Sequence, residues 1–171
     1  MHILHINSEK DTNKIDKLIE QGNDVFILVY MEGCGPCNAT RPEWAKIESA
    51  LKDQYSKNHK LVVIDVNKDY LQNIKHIGNI DGFPTMKYIG KYGKIVESYE
   101  DSSINKKDRT IDSFINWIES KINQVISTTP TSSPINVYKR LSNKTNKNRS
   151  KRRNRTNKKY KKHKRTKRHR K

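Results

Sequence analysis

The sequence predicts an α/β domain, a central mixed β-sheet with helices on both faces, followed by a disordered basic C-terminal tail. Three observations lead there. Strand-like and helix-like segments alternate along the first 126 residues and close on a hairpin and a helix, the order expected of a sheet built with crossover helices. Charge is segregated: of 36 Lys and Arg, 17 lie in residues 1–138 with all 18 Asp and Glu, whereas residues 139–171 carry 19 cations and no acid. The two cysteines of the chain form a single CxxC, Cys34-Gly35-Pro36-Cys37, between an apolar run and a helical pattern.

The elements follow in order. His2–Ile6 reads as a short strand, and Asp11–Gln21 places Ile15, Leu18 and Ile19 on one helical face before Gly22 ends it. Val25–Tyr30 is apolar on both faces, as a central strand covered on two sides should be. A helix then starts at the CxxC, where Pro36 suits a first turn because its missing N–H has no partner there. It should run to about Tyr55, with a kink at Pro42. Leu61–Val66 reads as a strand and Tyr70–Ile77 as a short helix. Thr85–Ile89 and Lys94–Tyr99 form a hairpin around Gly90–Gly93. The last helix spans about Thr110–Ile126, with Ile111, Phe114, Ile115, Ile118, Ile122, Val125 and Ile126 recurring on one face.

The compact domain is therefore expected over residues 1–126. Residues 127–138 are rich in Ser, Thr and Pro and suit an extended linker. In residues 139–171 only Leu141 and Tyr160 are sizeable apolar side chains, too few to offset the entropy of ordering, so disorder is expected in the free protein. No run approaches the ~18 apolar residues of a membrane span. The first residues lack the basic, apolar and small-residue succession of a secretory signal. With no second cysteine pair to build a disulfide framework, an intracellular, reducing compartment is the expectation.

A CxxC at a helix start admits three readings. Unpaired N–H groups and the positive end of the helix dipole would stabilise a thiolate on Cys34, while Cys37, one turn inside, would be a shielded second thiol. That pair suits disulfide exchange. The other readings are half of a zinc site and two buried cysteines. A zinc site needs about four ligands, and neither a second CxxC nor a paired-His motif is present. No metal and no cofactor is implied.

CGPC, Pro42 five residues after Cys37, and Phe83-Pro84-Thr85 resemble, in order and spacing, the active site, kinked helix and cis-proline loop of the thioredoxin and protein disulfide isomerase superfamily. The resemblance covers roughly residues 10–125. It implies a thioredoxin fold and thiol–disulfide exchange through Cys34 and Cys37, with Gly35 and Pro36 between them and protein disulfides or dithiols as substrates. It also implies a cis peptide before Pro84, with Phe83 offering backbone hydrogen bonds to an extended substrate. Three positions depart from the family. Gly33 stands where a Trp usually precedes the first cysteine. Leu28 stands where a buried acid usually handles the proton of the second thiol. Asp65 stands where many members have Lys; it is either a solvated strand residue or a replacement for the missing acid. Gly-Pro between the cysteines resembles the reducing thioredoxins, but the direction of electron flow and the reductant stay open.

The tail can neutralise many phosphates at once, which gives salt-sensitive binding to DNA or RNA without sequence readout, since Tyr160 alone makes no stacking platform. A nuclear-targeting signal, a solvated tail, an anionic membrane and an acidic protein are the other readings of such a run. His163 and His169 belong to that run rather than to a metal site. The stretch YMEGCGPCNATRPEW, the Lys, Asn and Ile bias and the tail are similar to thioredoxin-like proteins of large DNA viruses, and this resemblance implies packaging in a virion. Two functions compete: a thiol–disulfide oxidoreductase tethered by its tail to a polyanion, and a non-catalytic thioredoxin-like structural or nucleic-acid-binding protein.

Overall fold

The computed structural model describes residues 1–123. The expected linker 127–138, the basic tail 139–171 and the last turn of the final helix lie outside the described residues.

Among the described residues there are five strands and three α-helices: β1 His2–Ile6, α1 Glu9–Glu20, β2 Asp24–Tyr30, α2 Gly35–Tyr55, β3 Leu61–Asn67, β4 Thr85–Gly90, β5 Ile95–Ser98 and α3 Ile111–Asn123. The sheet order is β1-β3-β2-β4-β5. β3 pairs in parallel with β1 and β2, while β4 runs antiparallel to β2 and to β5. The mixed sheet is that of a thioredoxin fold.

Side-chain alternation along β2 divides the core. Val25, Ile27 and Val29 join Ile15 and Ile19 of α1 with Val62, Ile64 and Val66 of β3 in one apolar cluster. Phe26 points to the opposite face, where its ring meets Trp117 of α3 edge-on at 5.1 Å and Tyr88 of β4 at 5.0 Å. Trp44 of α2 packs on Phe114 of α3 at 5.1 Å, so this second face is an aromatic layer held by two helices.

Several element boundaries differ from the sequence reading, most by a single residue and three in ways with a physical cause. The segment expected as a helix over Tyr70–Ile77 is a 3₁₀ helix, Lys68–Asn73. Its start is capped by the Asn67 side chain, which accepts from the Asp69 N–H at 3.1 Å. Ile74 is extended, and Ile74 and Ile77 are both buried in the core: the apolar spacing there recorded a packed loop, not a helical face. The hairpin strand ends at Ser98 instead of Tyr99, because Tyr99 opens a 3₁₀ turn that buries its ring and bonds its hydroxyl to Ser113 Oγ at 2.9 Å. Helix α1 begins two residues earlier than expected, after Ser8, whose hydroxyl donates to Asp11 Oδ2 at 2.6 Å.

Candidate active site

Cys34 is the N-cap of α2, extended at φ −83° and ψ 115°, with Pro36 in the first turn. Its Sγ accepts the Cys37 backbone N–H at 3.2 Å, one of the N–H groups that a helix start leaves unpaired. Cys34 and Cys37 are joined as a disulfide with their Cα atoms 5.2 Å apart. Cys34 is 8% exposed and Cys37 wholly buried, so only the first sulfur reaches the surface.

The opposing wall comes from the loop before β4. The Phe83–Pro84 peptide is cis. The carbonyl oxygen of Phe83 lies 3.7 Å from Cys34 Sγ, and the Phe83 ring packs against the cluster of Tyr30, Cys34 and Cys37. Four contacts fix this loop. The Asp16 carboxylate of α1 accepts the Lys75 N–H at 3.1 Å. The Lys87 ammonium of β4 donates to the carbonyls of Ile77 at 3.0 Å and Asn79 at 2.5 Å. The Thr85 hydroxyl donates to Gly82 O at 2.6 Å. Lys87 is buried, and that burial holds its pKa below the ordinary lysine range while the charge of Asp81 opposes the shift. A cleft of about 340 Å³ opens beside Phe83 and Pro84, bordered by the charged side chains Glu100, Asp101 and Arg109.

Gly33 has φ +74° with open space around its Cα, so the position of the family's Trp is in a left-handed conformation that a side chain rarely adopts. In the sheet Leu28 is in register with Asp65 on one side and Met86 on the other, and Asp65 is in register with His5. These residues form one row across the sheet. His5 Nδ1 lies 2.5 Å from Asp65 Oδ1. A cavity of about 400 Å³ lies over the row, lined by His5, Asp65, Leu28 and, from α2, Asn38, Arg41 and Pro42. The Arg41 guanidinium stacks 3.9 Å above the Tyr30 ring and donates to Glu32 at 3.2 Å. Burial raises the Tyr30 phenol above its ordinary pKa, and the Arg41 charge partly offsets this.

The profile of the thioredoxin family matches residues 5–117. The chain belongs to that family. Its thioredoxin domain is 28% identical over 103 residues to protein disulfide-isomerase 1 of Dictyostelium discoideum, a match covering 59% of this chain and 26% of that protein. It is 31% identical over 91 residues to human protein disulfide-isomerase A6, covering 50% of this chain and 20% of that protein. The match thus spans about a quarter or less of these curated relatives. Among solved structures, the zinc-bound form of human ERp44 superposes with a TM-score of 0.54 at 16% identity over 70% of this chain and 31% of that one, a likeness of fold.

The structure therefore brings Cys34, Gly35, Pro36, Cys37, Phe83 and Pro84 to one place and sets Asp65 beneath the start of α2, across the sheet from Leu28. Sequence reading did not single out His5, Arg41 or Lys87. A lone Lys in the apolar run of β4 was a signal for the last of these. His5 carried none, since its partner depends on how β1 pairs.

Proposed function

We propose that the chain is a protein thiol–disulfide oxidoreductase in which Cys34 attacks and Cys37 resolves. The observation that carries this is the Cys34–Cys37 bond at the N-terminus of α2 facing the Phe83 carbonyl. In the reduced protein the helix end and the Cys37 N–H favour a thiolate on Cys34. The backbone around Pro84 then offers an extended substrate segment a polar edge next to the reacting sulfur. The kinship with protein disulfide-isomerases supports the same chemistry and protein substrates.

The proposal extends to the tail. Residues 139–171 hold the domain on nucleic acid or another polyanion through non-specific phosphate contacts, a property compatible with an intracellular site or with packaging in a virion. An insulin-reduction assay on the full-length protein tests the redox reading: turnover by the wild type that is lost in Cys34→Ser is the expected result. Equal rates in both would leave a binding protein whose thiols are incidental.

A further inference from the structure

The turn between β4 and β5 has three features that closing a hairpin does not require. Lys91, Tyr92 and Gly93 are all left-handed, at φ +48°, +60° and +81°. The Gly93 N–H donates to Gly90 O at 3.1 Å and the Lys94 N–H to Lys91 O at 3.2 Å, which closes the turn. Glycine tolerates this backbone, but a side chain as large as Tyr is strained in it, and Asn-Gly would be the relaxed choice for the first two positions. Strained residues of this kind cluster at functional sites. Tyr92 is also 64% exposed, and with Val96 it is one of the two exposed large apolar side chains among the described residues. Its ring rests on Gly22, where a Cβ would stand 2.6 Å from a ring carbon. Lys91 and Lys94 flank it, both exposed and neither in an ion pair among the described residues.

The turn sits at the end of the sheet opposite the redox pair. Gly90 is in register with Ile95 and Ile89 with Val25, so the turn lies beside the start of β2. From there β2 runs to Tyr30, near the cysteines, over roughly 20 Å. α3 finishes at the same end as the turn. Lys121, in its last turn, bonds Glu97 of β5 at 2.7 Å, and its ammonium lies 5.9 Å from the ring centre of Tyr88, whose hydroxyl donates to Asp24 at 2.8 Å. The sequence that carries 19 cations in residues 139–171 is therefore attached at the end of the domain that presents Tyr92. The acids near the turn each have a partner: Asp24 has Tyr88, Glu97 has Lys121, and Glu20 has His76 at 3.6 Å, a ring that lies against Gly93.

We propose that this turn is a contact for single-stranded nucleic acid, with Tyr92 stacking on an unpaired base and Lys91 and Lys94 meeting the flanking phosphates. This rests on the polyanion reading of the tail. The tail supplies charge without a stacking platform, and the turn supplies the ring that Tyr160 alone does not. Stacking on an exposed ring is open to bases freed from pairing and is indifferent to their identity, so the contact favours single strands without reading sequence. A duplex can satisfy the lysines and the tail but not the ring. Two cations and one ring are too few to hold a strand by themselves, so the turn acts in company with the tail. A strand held at this end leaves Cys34 and the Phe83–Pro84 peptide, at the other, open to protein substrates.

The test uses the full-length protein with labelled oligo-dT, oligo-U and duplex DNA, each about 20 nucleotides long, read by fluorescence anisotropy at equal salt. Tyr92→Gly suits the left-handed backbone and keeps the hairpin. It should lower the ratio of single-strand to duplex affinity about 5-fold or more, with duplex affinity and insulin reduction unchanged. Tyr92→Phe keeps the stacking ring and should keep the wild-type ratio. Lys91→Gln combined with Lys94→Gln should reduce the slope of log affinity against log salt by about 1.4 on single strands. A Tyr92→Gly protein with the wild-type ratio overturns the turn contact and leaves the tail reading intact. A ratio that falls as far in Tyr92→Phe as in Tyr92→Gly also overturns it, since the ring would then not be what binds. A wild-type protein that binds phosphatidylserine vesicles and no nucleic acid overturns the nucleic-acid reading of the tail, and the turn contact with it.

Discussion

Cys34 Sγ lies 3.7 Å from the carbonyl oxygen of Phe83, a residue 49 positions away in the chain. The contact joins the start of α2 to the loop before β4, and it puts the less buried sulfur of the pair beside the cis Phe83–Pro84 peptide. In the reduced protein that thiol also sits at the helix end whose N–H groups favour its ionisation. Iodoacetamide at about pH 6 should label Cys34 selectively, read by peptide mass, because a typical thiol near pKa 8.5 is almost wholly protonated there. Preferential labelling of Cys37 in the native protein would reverse the assignment of roles.

Lys87 holds the loop before Pro84 by donating to two of its carbonyls from a buried position. Lys87→Met keeps the apolar stem and removes the donors, leaving the Ile77 and Asn79 oxygens without that partner. A stability loss of about 1–3 kcal/mol is expected in urea unfolding. Hydrogen exchange should quicken over residues 77–84, with insulin reduction falling along with it. A variant as stable as wild type would show that water replaces the ammonium without cost.

Glu119 of α3 accepts from Gln54 at 3.3 Å and Tyr55 at 3.4 Å at the end of α2. Burial raises its pKa above 4.5, against the opposing effect of those two hydrogen bonds. Tyr55 is pushed up to about 12, first by burial and then by the Glu119 charge. A carboxyl with a raised folded pKa contributes its stability below the unfolded value and loses it as pH rises through the folded one. At neutral pH the ionised Glu119 therefore costs stability. Glu119→Gln should raise the unfolding free energy at pH 7 by under about 1 kcal/mol after allowance for solvent screening, read as a higher melting temperature, and the gain should vanish near pH 4. A gain of the same size at both pH values would trace to packing instead of charge.

The tail prediction is electrostatic. Replacing the cations of residues 139–171 with Gln and Ser in the full-length chain should abolish DNA and RNA binding and leave insulin reduction unchanged. Wild-type affinity should fall at least about 1000-fold between 50 and 200 mM salt if six or more phosphates are contacted. Fluorescence anisotropy with two unrelated oligonucleotides reads both salt dependence and lack of sequence preference. Binding indifferent to salt, or retained after neutralisation, would move the interaction to the body of the protein.

Much of this molecule was legible in its sequence because the signals are local. The apolar run Val25–Tyr30 and the Pro in the first turn after Cys34 each reflect a constraint acting within a few residues, whereas Phe83-Pro84-Thr85 was legible only through resemblance to the family. They marked the sheet, the helix start and the pair of sulfurs. Local spacing misled where burial came from the loop: Ile74 and Ile77 are buried like helix residues but belong to a turn-containing loop packed into the same apolar cluster as Ile15 and Ile19 of α1 and Ile89 of β4. Gly33 could be seen as a missing Trp, whereas the left-handed backbone that accompanies the glycine could not.

The environment of Asp65 was decided by tertiary structure. From the sequence it could be either a solvated strand residue or a replacement acid, because the side of a strand flips with a register shift of one residue. Parallel pairing of β3 with β2 fixes it beside Leu28, and pairing of β1 with β3 brings His5 to within 2.5 Å from 60 residues away. The sequence by itself determined which atoms can exchange electrons, since two cysteines three residues apart at a helix start are a local motif. Which side chains stand beside one another on the sheet was settled only when distant strands met, because hydrogen bonding between strands obeys geometry that no single segment encodes.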